Sequence, residues 1–280
     1  MFDPLYEQLK KSSVRDVRAS IRSGTYIGQT AGLAAGRLQA NLAILEKDHA
    51  DDFYEFCQLN KRPCPLVGLS IVGDPHMPEL GGEIDLRTDV PGYNVYRYAE
   101  LIEQRSDISD LWQSNFVGFA LGCSFTFERA LREAGITLRH ISENKTVPMF
   151  RTSIALKDAG PFGGGMVVSM RPIQVEKVDL VFSICGGFPH AHGEPVHVGE
   201  PSKIGIADIG APDWGDAMEI EPGEVPVFWA CGVTPQNALA RARPPICITH
   251  TPGRMLIADV AETDRPDLVV AENYRSSALS

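Results

Sequence analysis

The chain has 280 residues, 44% of them hydrophobic and 22% charged, a composition typical of a soluble globular protein. Its net charge of −10 makes nucleic acid an unfavourable partner, because an acidic surface repels phosphate groups. No apolar run approaches the ~18 residues of a membrane span, and the start MFDPLYEQLKKSS lacks the apolar core of a signal peptide, so we expect a cytoplasmic protein with no membrane partner.

The first third of the chain predicts a helix, a strand and a second helix, in that order. SSVRDVRASIRSG has the apolar spacing of a short helix that Ser13 can cap. QANLAIL is typical of a strand, and DHADDFYEFCQLN of an amphipathic helix that turns Phe53 and Phe56 inward. Residues 73–93 are rich in Gly, Pro and Asp and predict a long surface loop, which in a compact domain is often functional.

The segment that leads into GCSFTFERAL is compatible with two structures. ISDLWQSNFVGFALG has the periodicity of a helix that would meet a second helix, SFTFERALREAG, at Gly122–Cys123. The alternative is a strand over residues 116–121 that feeds the second helix. Periodicity leaves both open, because a short apolar run fits either element.

The second half of the chain alternates strands and helices. MFRTSIAL and GGGMVVSMRPI predict strands, QVEKVDLVFSICGG a helix, and PVHVG and KIGIADI further strands. After the loop APDWGDAMEIEPGE, the apolar run VPVFWACG predicts a central strand, and TPQNALARAR a helix with Thr234 as its N-cap. ICITH and RMLIADV, joined by TPG, predict a hairpin, and residues 262–280 a loose polar tail.

This mixture of helices and strands indicates the α/β class with two domains. Residues 1–145 and 206–280 are expected to form a larger, layered α/β sandwich. Residues 146–205, a β–β–α–β run, are expected to form a smaller two-layer α+β domain inserted into it.

The six cysteines contain no C-x-x-C pair, which argues against a zinc ribbon or a thioredoxin-like motif. In a reducing compartment, free thiols in the core are the expected state.

The segment GGFPHAHGEPVHVG is the first candidate for chemistry. In an extended backbone, His190, His192 and Glu194 could share one face, and imidazoles with a carboxylate suit zinc. The candidate metal ligands are His192, His197 and Asp208, although none is strongly indicated. The alternative is a solvated turn with one structural histidine, since the prolines and glycines of this segment break a regular strand.

The second candidate is GCSFTFERAL. If Ser124 begins a helix, Cys123 lies at the positive helix end, where a thiol pKa falls and a carboxylate can bind. Glu128, one turn later, could act as an acid or base if buried. The alternative is a junction of small residues with Glu128 exposed.

The third candidate is VFWACGVTPQ, where a buried strand ends at Cys231–Gly232 and a helix follows. Ligands of α/β proteins collect at such strand ends, and the free N–H groups suit a substrate anion or a developing oxyanion. The alternative is that the Thr234 hydroxyl only caps the helix.

Two further places could contact a substrate. Arg151 and Arg171 flank a glycine-rich turn that includes Gly164, and arginine binds carboxylates bidentately; a flexible hairpin with surface arginines is the alternative. His250 lies where a strand meets a turn and could carry a proton, although a lone histidine is more often structural.

Taken together and in this order, a dozen segments resemble the D-glutamate cyclase family, whose members are also called hydro-lyases. The segments are QANLAIL, DLRTDVPGYNVYR, ISDLW, GCSFTFERAL, GITLRHI, VPMFRTSI, GGGMVVSMRPI, FPHAHGEPVHVG, IGIADI, PDWGD, EVPVFWACGVTPQ and ITHTPGRMLIAD. The resemblance implies a two-domain α/β protein and, for the cyclase members, conversion of D-glutamate to 5-oxo-D-proline with loss of water. It supplies no agreed set of catalytic residues.

The histidine segment departs from the family pattern SRFPRVHGAPVHIG. Gly187 and His190 stand at two arginines of that pattern, and Glu194 at its alanine, so that His192 and His197 match. Gly165 also replaces an expected proline. The loss of two positive charges that could hold a substrate carboxylate leaves open whether the substrate is that of the cyclase members.

For a cyclase, the residues suggest the following division of roles. Arg151 or Arg171 would hold the α-carboxylate, and His192 or His250 would move the proton. The N–H groups at Cys123–Ser124 or at 232–234 would receive the developing oxyanion. Cys123 as a covalent nucleophile is less favoured, since a thiolate attacks an ionised carboxylate poorly.

The expected partner is therefore a small carboxylate substrate, with no cofactor. A metal-dependent hydratase or hydrolase is the second hypothesis, with a divalent metal held by the histidines and Asp208. A non-catalytic protein that binds a small acid is the third. The sequence leaves the oligomeric state open, a homo-oligomer included.

Overall fold

The computed structural model describes residues 4–266 and contains two antiparallel sheets with helices packed on them, which confirms the mixed α/β class. Most of the predicted polar tail, from residue 267 onward, lies outside the described residues. The helices are α1 (Pro4–Leu9), α2 (Val14–Arg22), α3 (Lys47–Leu59), α4 (Phe125–Glu133), α5 (Arg139–Ser142), α6 (Val178–Gly186) and α7 (Val233–Ala242). None of the described helices is long and apolar enough to cross a membrane.

The larger sheet has seven strands and is organised around β1. Its strands are β1 (Arg37–Glu46), β2 (Leu66–Leu69), β3 (Tyr93–Arg97), β4 (Glu100–Arg105), β5 (Phe116–Gly122), β10 (Cys247–His250) and β11 (Leu256–Ala261). They lie in the order β2-β5-β1-β10-β3-β4, and β11 pairs with β1 as well. Because both faces of β1 are covered, its central residues are all buried.

The loop over residues 73–93 is irregular, as predicted, but its predicted surface location is wrong. Five of its apolar side chains are fully buried against one face of the larger sheet: Met77, Leu80, Ile84, Leu86 and Val90. The Gly, Pro and Asp residues favour an irregular backbone, while these five side chains cover the apolar face of the sheet and shield it from water. The opposite face packs on α3 and α7 around Phe53 and Phe56, which face inward as predicted.

Residues 116–122 form a strand, so the helix predicted over 108–122 is wrong and the alternative is confirmed. β5 lies between β1 and β2, and all seven of its residues are buried. A strand in that position is apolar on both faces, and this removes the period-two pattern that would have distinguished it from a helix.

The predicted hairpin over residues 246–260 is also wrong. β10 and β11 both run antiparallel to β1, with Ala43 opposite Thr249 and Ala40 opposite Leu256, and so they follow one direction. The TPG segment is an insertion that interrupts one strand line. His250 lies at that interruption, where its Nδ1 accepts a hydrogen bond from the Leu42 N–H at 3.1 Å.

The smaller sheet has the order β6-β7-β9-β8 and packs on α4 and α6. Its strands are β6 (Met149–Ala155), β7 (Gly165–Gln174), β8 (His197–Val198) and β9 (Glu224–Ala230). β9 lies inside the sheet, as predicted for VPVFWACG. It follows residue 205 in the chain, so this sheet extends past the segment expected to be inserted; the domain boundaries stay a prediction.

Two local predictions in this half fail. KIGIADI forms no strand: a 3-10 turn spans Pro201–Ile204, and Ile204 and Ile206 cover the second face of the smaller sheet. Helix α7 begins at Val233, one residue before the predicted N-cap Thr234. The Thr234 hydroxyl instead bonds the backbone of Val167, accepting from its N–H at 3.0 Å and donating to its carbonyl at 3.1 Å.

Replacement of Phe53 by alanine is expected to lower the free energy of unfolding by about 3–5 kcal/mol, because a large aromatic core contact is lost. Phe53 is fully buried and contacts Phe119 edge-on, with ring centroids 5.0 Å apart. Urea unfolding monitored by circular dichroism measures the change. Val72→Ala, at an exposed position, is the control and should change stability by less than about 0.5 kcal/mol.

Candidate active site

The candidate site lies where two strands, one from each sheet, turn into helices. Strand β5 ends at Gly122 and continues through Cys123 and Ser124 into α4. Strand β9 ends at Ala230 and continues through 231–232 into α7. We call residues 122–125 the first turn and residues 230–233 the second turn. Helix N-termini carry N–H groups without helical partners, and both turns present such groups.

Asn41 connects the two turns. It is opposite Leu121 in the β1–β5 ladder, close to the first turn. A Cβ atom placed on Gly232 would lie 2.6 Å from Asn41 Nδ2, so the amide also lies directly against the second turn. Asn41 is 9% exposed, and its side chain has no hydrogen-bond partner within residues 4–266. Glycine at 232 therefore leaves room for a polar group aimed at the start of α7.

The histidine segment packs on the first turn. A Cβ atom on Gly122 would lie 1.8 Å from the His190 carbonyl oxygen, so only glycine permits this contact. The segment forms a 3-10 turn, Pro189–Ala191, followed by His192 in the left-handed region at φ 77°. The extended strand that would place His190 and Glu194 on one face is therefore absent.

His192 has one ring nitrogen occupied and one available. Its Nδ1 is 2.8 Å from the Arg62 carbonyl oxygen, which can only accept, so Nδ1 carries the proton. Its Nε2 is then an unprotonated acceptor, and it is buried with no hydrogen-bond partner in the described part of the chain. Burial, and next the nearby Arg171 charge, lower the pKa of His192 to about 4, so the ring is neutral at pH 7.

Cys123 and Cys231 occupy equivalent positions in the two turns. The backbone N–H of Phe125 favours ionisation of the Cys123 thiol and lowers its pKa, and the N–H groups of residues 232 and 233 do the same for Cys231. Both thiols are half-exposed, whereas the other four cysteines are buried. Burial raises the pKa of Cys123 to about 11 and also raises that of Cys231, so the lowering expected at a helix N-terminus is outweighed.

A buried ion pair between Arg171 and Glu128 stabilises α4, the helix that begins at the first turn. Arg171 on β7 is 1% exposed, and its Nε and Nη2 both donate to Glu128 Oε1 on α4, the Nε bond at 3.1 Å. Its Nη1 donates to Ser169 at 3.0 Å, and its Nη2 also donates to Ser124 at 3.3 Å. Four of the five guanidinium N–H groups are thus bonded within the protein, which differs from the free substrate clamp expected from the sequence.

Aromatic rings enclose this ion pair. The Arg171 guanidinium lies 5.4 Å from the Phe127 ring centroid and 5.1 Å from that of Trp229. Burial raises the pKa of Glu128, but the Arg171 charge and the adjacent His140 ring, whose Nε2 is 3.2 Å from Glu128 Oε1, outweigh it and keep the pKa below its usual value. Glu128 is therefore an ionised structural partner, which differs from a proton-transfer group.

The other residues predicted from the sequence lie away from this cluster. Arg151 pairs with Asp213 at the surface, Gly164 is exposed at φ 121°, and His197 bonds the Glu200 carbonyl. Asp208 accepts the N–H of residue 210. Residues 4–266 contain no group of three or more His, Cys, Asp or Glu side chains that could hold a metal ion.

Three roles are structural in this arrangement. His250 is held by the Leu42 backbone; burial lowers its pKa to about 4, and it lies in the β10–β11 interruption. His190 Nε2 is 2.8 Å from the Glu262 carbonyl oxygen, which attaches the histidine segment to the chain after β11. Glu194 pairs with Arg62 at the surface.

Sequence reasoning missed Asn41 and His140. Asn41 interrupts the apolar run QANLAIL, and a polar side chain in a buried strand is a signal that could have identified it. His140 carries no comparable signal, because GITLRHI is an ordinary mixed segment and only the fold brings it to Glu128.

Comparison with known proteins gives consistent matches. The family model described as D-glutamate cyclase matches residues 117–259. A protein of Jannaschia sp. named "Putative hydro-lyase" is 59% identical over 88% of this chain and 92% of its own length. Proteins with the same name from Dinoroseobacter shibae and Ruegeria pomeroyi are each 56% identical, over 92% and 96% of this chain and 86% and 98% of their own.

Among solved structures, a nitrogen repressor-like protein of Methanococcus jannaschii aligns over 82% of this chain and 90% of its own. Its TM-score is 0.38 and its sequence identity 10%, and the likeness carries no argument.

Glu128→Gln is expected to lower the free energy of unfolding at pH 7 by about 3–5 kcal/mol, since it leaves Arg171 buried without a counter-charge. Because Glu128 has a depressed pKa in the folded state, its contribution is present above its unfolded pKa of about 4.3 and is lost as the pH falls through the folded value. The difference in the free energy of unfolding between the parent chain and Glu128→Gln should therefore decrease below pH 4. Urea unfolding at several pH values measures it.

The double variant Glu128→Leu with Arg171→Met is the control for that experiment, because it removes both charges and fills the space with apolar groups. It should be markedly more stable than Glu128→Gln. Equal stability of the two variants would mean that the ion pair is not what Glu128 contributes.

Gly122→Ala is expected to lower the free energy of unfolding by about 1–3 kcal/mol, because the added methyl group meets the His190 carbonyl. Thermal unfolding is the measurement. Gly82→Ala is the matched control, since a Cβ there meets no atom within 4 Å. Equal melting temperatures of the two variants would contradict the tight contact at the first turn.

Proposed function

The chain belongs to the D-glutamate cyclase family, and we propose that it is a hydro-lyase that converts D-glutamate to 5-oxo-D-proline and water. The amine of the substrate joins its own side-chain carboxyl group, so both reacting groups are on one small molecule. Holding that molecule in a folded conformation supplies proximity worth about 7–11 kcal/mol. A binding site of the right shape, with polar groups placed in it, can therefore supply much of the reduction in the activation free energy of cyclisation. The proposal requires no cofactor.

The observation that carries the proposal is the meeting of the first and second turns at Asn41. A glutamate has two carboxylates, and two helix N-termini supply two places for anions. The Asn41 amide can donate to a carboxylate oxygen or to the oxyanion that forms on it. These donors lie on the backbone and on a buried strand, so they are already ordered before substrate binds.

His192 is assigned the proton transfer from the substrate amine. Its Nε2 is the buried acceptor that lacks a partner among residues 4–266, and its tautomer is set by the Arg62 carbonyl. A pKa of about 4 makes a weak base. The negative charge of a bound dicarboxylate raises a nearby histidine pKa, which moves His192 toward the range that suits acid–base catalysis at pH 7.

The protons of the reaction balance within the substrate. The ammonium group loses two protons as the amide forms, and both end on the carboxyl oxygen that leaves as water. His192 takes the first of them, and its protonated ring can return a proton to the departing oxygen. Arg171 is a positioning residue in this scheme, because its charge keeps Glu128 ionised and orders α4 beneath the first turn.

Purified protein incubated with D-glutamate, and separately with 5-oxo-D-proline, tests the proposal by proton NMR. We expect interconversion of these two compounds. Protein dialysed against a chelator and protein supplemented with Mg²⁺ or Zn²⁺ should react equally. Turnover only with added metal would contradict the metal-free scheme. No turnover in any sample would contradict the assignment of D-glutamate as the substrate.

His192→Asn is expected to lower kcat by about 10²–10⁴-fold. Asparagine tolerates the left-handed backbone and can still donate to the Arg62 carbonyl, but it lacks Nε2. His76→Asn, at an exposed loop position, is the matched control and should leave kcat unchanged. A His192→Asn enzyme with full kcat would remove this residue from the proton transfer.

A further inference from the structure

Two thiols face the candidate site from different sheets. Cys123 follows a strand of the larger sheet and Cys231 a strand of the smaller sheet, and each precedes a helix of at least nine residues. In each turn, the backbone N–H of the residue two positions after the cysteine favours the ionised thiol and lowers its pKa. This repeated arrangement distinguishes them from the four buried cysteines, and the proposed cyclisation uses neither thiol.

The two thiols belong to the two turns that lie close to Asn41. Asn41 and Leu121 form a cross-strand pair, so their side chains lie on one face of the larger sheet, the face on which α7 packs. Cys231 is the neighbour of Gly232, which is in contact with the Asn41 amide. Consistently, the negative charge of one thiolate would raise the pKa of the other. The pair can thus hold one thiol and one thiolate, but two thiolates together are disfavoured.

Two observations independent of the cysteines indicate that a ligand lies between them. Asn41 is 9% exposed, makes no side-chain hydrogen bond to the described residues, and has its Nδ2 directly against Gly232 of the second turn. The His192 Nε2 is buried, and no hydrogen-bond partner exists for it in the described range. Buried polar groups of a folded protein are normally paired, so unpaired groups beside two helix N-termini indicate a polar ligand.

We propose that Cys123 and Cys231 form a two-thiol acid–base pair that exchanges the α-proton of an amino acid bound at this site, and so give the chain an α-epimerising activity. For its class of substrate, a small amino dicarboxylate, this inference rests on the proposed function. Inversion at an α-carbon needs an acid and a base on opposite faces of that carbon, and the proposal assigns one face to the thiol of each sheet.

The step balances without an oxidant or a cofactor. The thiolate sulfur of one cysteine forms an S–H bond with the α-proton, and the electron pair of the C–H bond moves toward the α-carboxylate. The opposite thiol gives its proton to the other face of the α-carbon, which breaks its S–H bond. The two cysteines exchange protonation states, and the N–H groups of the helix ends stabilise the charge on the carboxylate.

The test is α-proton exchange in D₂O. D-glutamate, L-glutamate and 5-oxo-D-proline are each incubated with the full chain; deuterium at the α-carbon is read by NMR and configuration by chiral chromatography. We expect deuterium incorporation and appearance of the opposite enantiomer. Cys123→Ala and Cys231→Ala should each lower the inversion rate at least about 100-fold. Cys→Ser variants and melting curves show whether folding is retained.

Cys247→Ala is the matched control. Cys247 is buried in β10, burial alone raises its pKa, and its removal should leave exchange unchanged. Unlabelled, enantiopure amino acid recovered from an actively cyclising enzyme would overturn the two-thiol pair and leave the cyclase standing. Exchange without cyclisation would support the pair and contradict the cyclase. Inversion that persists in folded Cys123→Ala and Cys231→Ala would also overturn the pair.

Discussion

The buried ion pair between Arg171 and Glu128 is the constraint on which the rest of the structure depends. A guanidinium is protonated at any ordinary pH, and burying it without a counter-charge costs several kcal/mol. Glu128 supplies that counter-charge from α4, the helix that follows the larger sheet, while Arg171 belongs to the smaller sheet. The two sheets are therefore joined through a charge pair, and the first turn lies directly above it.

The same ion pair influences the protonation of the other groups in the site. Its positive member lowers the pKa of nearby His192 and opposes ionisation there, while burial raises the pKa of the Cys123 and Cys231 thiols. The site thus offers neutral donors and acceptors: an amide, an imidazole, two thiols and the backbone N–H groups of two helices. Such a set binds an anionic substrate without a metal and can move protons to and from it.

Cyclisation and α-proton exchange require different positions of the substrate relative to the side chains of the site. Cyclisation needs the substrate folded, with its amine near its side-chain carboxyl group, and uses His192. Exchange needs the α-carbon between Cys123 and Cys231. Both place the α-carboxylate at a helix N-terminus, where added negative charge is stabilised. The departures from the family pattern at Gly187 and His190 lie in the histidine segment, and the His190 carbonyl contacts Gly122 of the first turn.

The sequence by itself determined several local elements and the second turn. The Ser13 cap of α2, the apolar periods of α2 and α3, and the strand–Cys–helix order at Cys231 follow from short-range chemistry, whereas periodicity left either a helix or a strand before Cys123. Tertiary structure decided the rest. The face-covering role of residues 73–93, the single strand line of β10 and β11, and the partners of Arg171, His140 and Asn41 depend on contacts between segments far apart in the chain. Hydrophobic periodicity and secondary-structure propensity depend on residues that are neighbours along the chain. The partner of a buried charge depends on which distant segments the fold brings into contact.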